Sequence, residues 1–261
     1  MNCLLKTAPR SPVFLENRVN VHFKKLSERW GGYNIVKGSV PSKNKGDVSL
    51  ISNDYLSLAN HKEIINAQIE TLSEKGNGMM MSVVFVHENH PQRFLEKSLA
   101  DFMDAEDGIL CQSGYTANVG LVSAIADVNR PVYIDCFAHM SLWDGIACAK
   151  AKPIRFRHND VNHLEQKIKR YGQGIILVDS IYSTLGSVCP LLNVVELGEK
   201  YGCVIVVDES HSLGVYGKFG KGLVVERGMA DRVHFRTVSL AKDFLRTRRN
   251  YCWRRKGNRV P

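Results

Sequence analysis

A chain of 261 residues with 44% hydrophobic and 23% charged side chains can bury a large core, as one big domain or a domain with appendages, and reads as soluble and globular. The net charge of +9 invites a nucleic-acid partner, but residues 243–261 hold seven basic side chains and one acidic, which leaves 28 basic and 25 acidic in the rest. A nucleic-acid binder carries a basic stripe on folded elements, and nothing in the first 242 residues looks like one.

Seven scattered cysteines, with no CxxC and no Cys/His cluster at metal-ligand spacing, fit a reducing cytosol. The first twenty residues contain Pro, Arg, Glu and Asn where a signal peptide needs an apolar run, and no stretch approaches ~18 apolar residues. The expectation is a cytoplasmic protein with no membrane and no nucleic-acid partner.

In chain order, residues 15–30 predict a helix closed by Gly31 and Gly32, and "HPQRFLEKSLADFMDAE" a long amphipathic one. From about Leu110 short β-branched runs alternate with amphipathic stretches, the pattern of parallel βαβ units. "PVYID", "GIILVDS" and "CVIVVDES" are strands apolar enough to be covered on both faces. "HLEQKIKRYG" and "LLNVVELGEKYG" show helical spacing and end in Gly. The expected fold is α/β, an open, mostly parallel sheet between helices, with ligands beyond the carboxyl ends of its strands.

Chemistry gathers at those ends. Asp179 and Asp208 close two apolar runs, and a carboxylate there is costly unless it meets a cation or several donors. For Asp179 an N-cap or loop anchor is the equal alternative. Asp208 has His211 three residues on, which assembles a polar pocket that a ligand cation would suit. "QSGYTANVG" follows the strand candidate "GILC" and opens a helix, so the N–H groups of Gly114 and Tyr115 face outward as a phosphate site. The Tyr115 ring either covers a flat ligand or simply packs. "GVYGKFGKG" is not GxGxxG and opens no helix after a strand, which argues against a dinucleotide. His139, flanked by Asp135 and Asp144, and Lys242, beside Ser239 and Thr237, are each unremarkable alone. As a set with the phosphate loop and the Asp–His pair, they are the parts a lysine Schiff base to pyridoxal phosphate needs.

"NDYLSLANH", "SGYTANVG", "DCFAHMSLWDG", "DSIYSTLG", "DESHSLGVYG" and "TVSLAK" occur in the order and approximate spacing of the α-oxoamine synthases, fold-type I pyridoxal-phosphate enzymes, which the chain resembles from about residue 15 to Lys242. Three segments look most like the branch that makes long-chain α-hydroxyketone autoinducers, the quorum-sensing signals of vibrios. The resemblance implies a three-layer α/β/α major domain with the C-terminal domain missing: an N-terminal helix and arm over 1–50, the cofactor-binding domain over 51–242, and a basic tail over 243–261.

It also implies roles. Lys242 would hold pyridoxal phosphate covalently. Asp208 would pair with the ring nitrogen, His211 and Ser183 would bond the phenolic oxygen, and His139 would stack on the ring. Ser113, Gly114, Tyr115 and Ser239 would hold the cofactor and its phosphate, with Asn53 near the amino-acid substrate. The implied activity is a homodimeric C-acyltransferase. It joins an aminobutyrate-like or S-adenosylmethionine-derived donor to a medium-chain acyl-CoA such as decanoyl-CoA, giving an autoinducer precursor. Met79, Met80 and Met81 either line an acyl groove or serve a core or subunit interface. The tail lacks the glycine-rich turn the family has after the lysine, and reads as an out-of-frame peptide. A basic tail contacting RNA or acidic lipid is the runner-up, and an inactive remnant the alternative function.

Overall fold

The computed structural model describes residues 11–29, 52–76, 82–243 and 250–254. Gly31, Gly32 and Met79 to Met81 lie outside these residues. The chain divides into two compact units, Met1–Ile51 and Ser52–Pro261. The first carries helix α1 (Val13–Arg29).

The second unit runs α2 (Lys62–Lys75), α3 (Pro91–Phe102), β1 (Asp107–Cys111), α4 (Gly114–Ile125), β2 (Pro131–Asp135), α5 (Met140–Cys148), β3 (Lys152–Phe156), α6 (Val161–Tyr171), β4 (Ile175–Asp179), α7 (Leu191–Lys200), β5 (Val204–Asp208), α8 (Leu223–Glu226), β6 (Phe235–Ser239), α9 (Leu240–Asp243) and β7 (Asn250–Arg254). The sheet order is β1-β7-β6-β5-β4-β2-β3. Strands β2 to β6 pair in parallel, and β7 runs antiparallel to both of its neighbours. The fold is the expected mostly parallel α/β sheet. Among the described residues no helix is long and apolar enough to cross a membrane.

Successive strand side chains point to opposite faces, so a strand covered on both sides must be apolar throughout. In β4, Ile176 and Val178 pack with Leu164, Ile168, Val194 and Val195 of α6 and α7. Its Ile175 and Leu177 pack with Val122, Leu142 and Ile146 of α4 and α5. Helices α4 and α5 touch through Gly145, where a Cβ would lie 2.7 Å from the Val122 Cβ. That close approach brings the start of α4 and the start of α5 to the same edge of the sheet, where β4 and β5 end in register at Asp179 and Asp208.

The segment Asn250–Arg254, which the sequence pattern assigns to a tail, is a strand seated between β1 and β6. The reason is topological: β1 and β6 each need a partner for their inner edges, and antiparallel pairing supplies it to both.

The end of β2 is braced rather than open. Asp135 is fully buried, and its carboxylate accepts from the Phe137 N–H at 2.9 Å, the Asn159 N–H at 2.9 Å and His158 Nδ1 at 2.9 Å. His158 Nε2 bonds Ser187 Oγ at 2.7 Å, and its ring stands edge-on to Tyr182. This carboxylate ties the loops after β2 and β3, and His158 extends the tie to the loop after β4. Replacing Asp135 by Ala strands those donors, and we expect a loss of about 3–5 kcal/mol in a urea-unfolding midpoint measured at constant slope.

Candidate active site

A cavity of about 110 Å³ opens beyond the carboxyl ends of the strands, lined by Gly114, Tyr115, Asn118, His139, Asp179, Asp208, Ser210, His211, Ser239 and Lys242. Seven of these come from the sequence-derived site set, drawn from positions 114 to 242. They meet because each sits at the end of a strand or the start of a helix on one edge of the sheet.

Asp208 closes β5. Its Oδ2 accepts from Asn118 Nδ2 at 2.6 Å and its Oδ1 from the Ser210 N–H at 2.9 Å. Asn118 also donates to Ser141 Oγ at 2.9 Å and accepts from Thr237 Oγ1 at 2.6 Å. A buried amide thus ties α4, α5, β5 and β6 together around the carboxylate. Beside it, Asp179 accepts from the His139 N–H at 3.2 Å. Burial above all, and then the negative charge of Asp208, push the Asp179 carboxyl well above its usual range.

His211 lies between two partners, its Nε2 2.5 Å from Lys242 Nζ and its Nδ1 2.7 Å from Tyr55 Oη. Burial, and then the charge of Lys242, lower the imidazole to about 4, so the ring is neutral at pH 7. His139 is the N-cap of α5: its Nδ1 lies 2.7 Å from Ser141 Oγ and accepts from the Ser141 N–H at 3.3 Å. Tyr115 is half-exposed, hydrogen-bonds Asp144 and meets the His139 ring edge-on at 6.1 Å.

At the start of α4, Ser113 and Thr116 form a reciprocal capping box. The N–H groups of Gly114 and Tyr115 are left at the open end of a 12-residue helix, where the backbone dipole favours an anion. The pocket is therefore polar in a definite sense. Two carboxylates stand at one wall, an anion-seeking helix start lies at another, and a lysine amine sits between. A cationic ring nitrogen with an anionic phosphate and an aldehyde matches that charge distribution, so the residues present fit pyridoxal phosphate.

Three members of the predicted set fall elsewhere. Ser113 spends its side chain on the cap of α4. Ser183 is exposed in the turn after β4, which the Gly186 N–H closes onto the Tyr182 carbonyl at 2.8 Å, and it lines neither cavity described here. Asn53 lines a second, larger cavity of about 540 Å³ with Ser52, Asp54, Asn60, Gln68 and Lys242. Lys242 alone faces both cavities. Sequence reasoning missed Asn118 and Tyr55. The first had a signal, an amide one helical turn after Gly114 on the otherwise small and apolar "ANVGLV", and Tyr55 stands in the "NDYLSLANH" motif two positions after Asn53.

The family model described as aminotransferase class I and II matches residues 45–248. The CAI-1 autoinducer synthase of Vibrio campbellii is 42% identical over 240 residues, covering 92% of this chain and 60% of that protein. The 8-amino-7-oxononanoate synthase of Coprothermobacter proteolyticus is 32% identical over 233 residues, covering 88% of this chain and 58% of that one. Among solved structures, the serine palmitoyltransferase of Sphingomonas wittichii superposes with a TM-score of 0.74 at 28% identity, covering 78% of this chain and 52% of the other. The chain thus spans about three-fifths of the length of these curated relatives. With a lysine, an Asp–His pair and an anion-seeking helix start converging at the strand ends, and with this family match along most of its length, the chain belongs to the aminotransferase class I and II family, in its α-oxoamine synthase branch.

Proposed function

We propose that this chain carries the cofactor-binding portion of a pyridoxal-phosphate-dependent C-acyltransferase. The enzyme joins an amino-acid-type donor, aminobutyrate or one derived from S-adenosylmethionine, to a medium-chain acyl-CoA such as decanoyl-CoA, as an autoinducer synthase. One observation carries the reading: Lys242, His211, Asp208 and Asp179 share a single cavity with the open end of α4.

When bound, the pyridoxal ring supplies the electron-withdrawing system that lets a carbanion form next to the donor's amino group. The chain's own residues would set the conditions. Asp208, fixed by Asn118 and Ser210, holds a proton on the ring nitrogen. The N–H groups of Gly114 and Tyr115, with Ser239, bind the phosphate. His139 covers the ring and neutral His211 bonds its phenolic oxygen. Asn53, which lines the larger cavity with Lys242, would meet the donor.

The partners proposed are acyl-CoA, the amine donor and a second copy of the chain, located in the cytoplasm. Exposed Val84, Phe85 and Phe94, at 81%, 68% and 59%, favour the homodimer. A second reading keeps cofactor binding or self-association without turnover.

Adding pyridoxal phosphate to the purified chain tests the proposal. A visible absorbance band and a borohydride-fixed mass increment on the Lys242 peptide are expected, and both vanish in Lys242→Ala. Labelling at other lysines only would refute it. Release of CoA from decanoyl-CoA separates the two readings.

A further inference from the structure

A second cluster of chemically capable side chains lies outside the cavity that holds Lys242. Ser187 Oγ stands 2.7 Å from His158 Nε2, and His158 Nδ1 stands 2.9 Å from Asp135 Oδ1. The three come from the loop after β4, the loop after β3 and the end of β2, and none of them lines either cavity described above.

The direction of these bonds follows from the carboxylate. Its Oδ1 also accepts the Phe137 N–H and its Oδ2 the Asn159 N–H, each at 2.9 Å. An ionised carboxylate has only lone pairs to offer, so His158 Nδ1 carries a proton toward Asp135. In the neutral ring Nε2 then presents a lone pair, and the Ser187 hydroxyl donates to it. Asp135 is fully buried, so its attraction for the positive charge that the ring gains on taking a proton is little screened. A hydroxyl bonded to a base, with the base oriented by a third group, is the arrangement that activates a nucleophile.

We propose that Ser187 is a nucleophilic serine that takes an acyl group from an activated ester or thioester, with His158 as its base and Asp135 as the group that orients His158. Ser187 Oγ forms a bond to the acyl carbon while its proton passes to His158 Nε2. The bond from that carbon to the leaving oxygen or sulfur then breaks, and the leaving group takes the proton from His158. An ester on Ser187 remains, and water releases the acid by the same route.

The surroundings suit such a reagent. Ser187 is only partly buried and follows a turn whose Ser183, Thr184, Leu185 and Gly186 are exposed, so an acyl carbon reaches it from solvent. Phe137 is half-exposed and meets the His158 ring edge-on at 5.1 Å, and Leu185 and Val188 add exposed apolar surface on either side of the serine in sequence. Among the described residues no group accepts the Ser187 N–H, which leaves one backbone donor for the carbonyl oxygen. A single donor supports slow acylation rather than fast turnover.

The same turn holds the control. Ser183 is exposed, and among the described residues no histidine is hydrogen-bonded to it. Treated with an alkyl fluorophosphonate and read by fragment-ion mass spectrometry, the chain should carry the phosphonyl group on Ser187 about tenfold faster than on Ser183, or more. With 4-nitrophenyl butyrate a butyryl increment should build up on Ser187, and Ser187→Ala should lose both adducts. His158→Gln, which leaves the serine and removes its base, should bring labelling at position 187 down to the rate at Ser183. The unsubstituted chain is decisive even if that variant fails to fold. Labelling of Ser187 no faster than Ser183 would make the cluster a brace and nothing more, and a phosphonyl adduct without a butyryl one would overturn the acyl chemistry. Neither reagent reports on pyridoxal phosphate or Lys242, so this proposal and the proposed function stand or fall separately.

Discussion

A chain ended after Asp243 loses its cooperative thermal transition by circular dichroism and precipitates on expression. Strand β7 pairs over five residues with β1 on one side and five with β6 on the other. Its removal opens the sheet between them. On β6, Arg236, Thr237 and Val238 are buried, so the groups left unpaired lie in the interior rather than at a wet edge. Each orphaned backbone donor or acceptor costs about 1–3 kcal/mol, and several together exceed the ~5–15 kcal/mol that holds a domain folded. β1 would also part from the sheet, taking with it the cluster of Ala100, Met103 and Leu110 that packs on Val238 and Leu240. Lys242 follows β6 directly, so the site would fail with the sheet. A truncated chain melting within a few degrees of the full one would show that β7 contributes nothing.

The second large effect falls on Asp208. Its oxygens accept from Asn118 Nδ2 and the Ser210 N–H, so the amide of Asp208→Asn must turn a donor toward one of two donors. The substitution also removes the charge that would face a cationic ring nitrogen. Breaking such a buried pairing costs about 3 kcal/mol or more, equivalent to roughly a hundredfold loss of affinity for pyridoxal phosphate in an absorbance titration. Affinity within a factor of three of the parent would refute the assignment.

The same substitution changes how stability varies with pH. A carboxyl raised on folding, as Asp179 is, leaves stability intact below the unfolded value near 4 and erodes it as pH climbs toward the folded value. Without the charge of Asp208 one of the two main causes is gone, so the erosion is smaller in Asp208→Asn. His211 works in the opposite sense, its contribution being lost as pH falls from about 6.5 toward about 4. Urea midpoints taken pairwise at each pH, parent against variant, isolate the Asp179 part above pH 6.5.

Strand, helix and order were legible because they rest on local rules. The uninterrupted apolar runs of β4 and β5 announce burial on both faces, and a polar residue at the end of such a run announces the edge of the core. Asp179, Asp208 and His211 could be read that way, and Gly114 and Tyr115 by the strand–Ser-Gly–helix junction. Lys242 gained its meaning only from the company of the others, through motif order. Ser183 sits in a familiar motif, yet the turn closed at Gly186 leaves its side chain in solvent, a matter of backbone course rather than residue type.

What the sequence by itself determined was the class of fold, the polarity of one sheet edge and the residues able to do lysine-centred chemistry, because hydrophobic periodicity and side-chain ionisation are properties of short segments. Only the tertiary structure decided that Asn118 buttresses Asp208, that Tyr55 reaches His211 across 156 positions of chain, and that Asn250–Arg254 is a strand within the sheet. Those are long-range pairings, settled by which surfaces the packed helices and strands leave facing one another, and no local pattern encodes them.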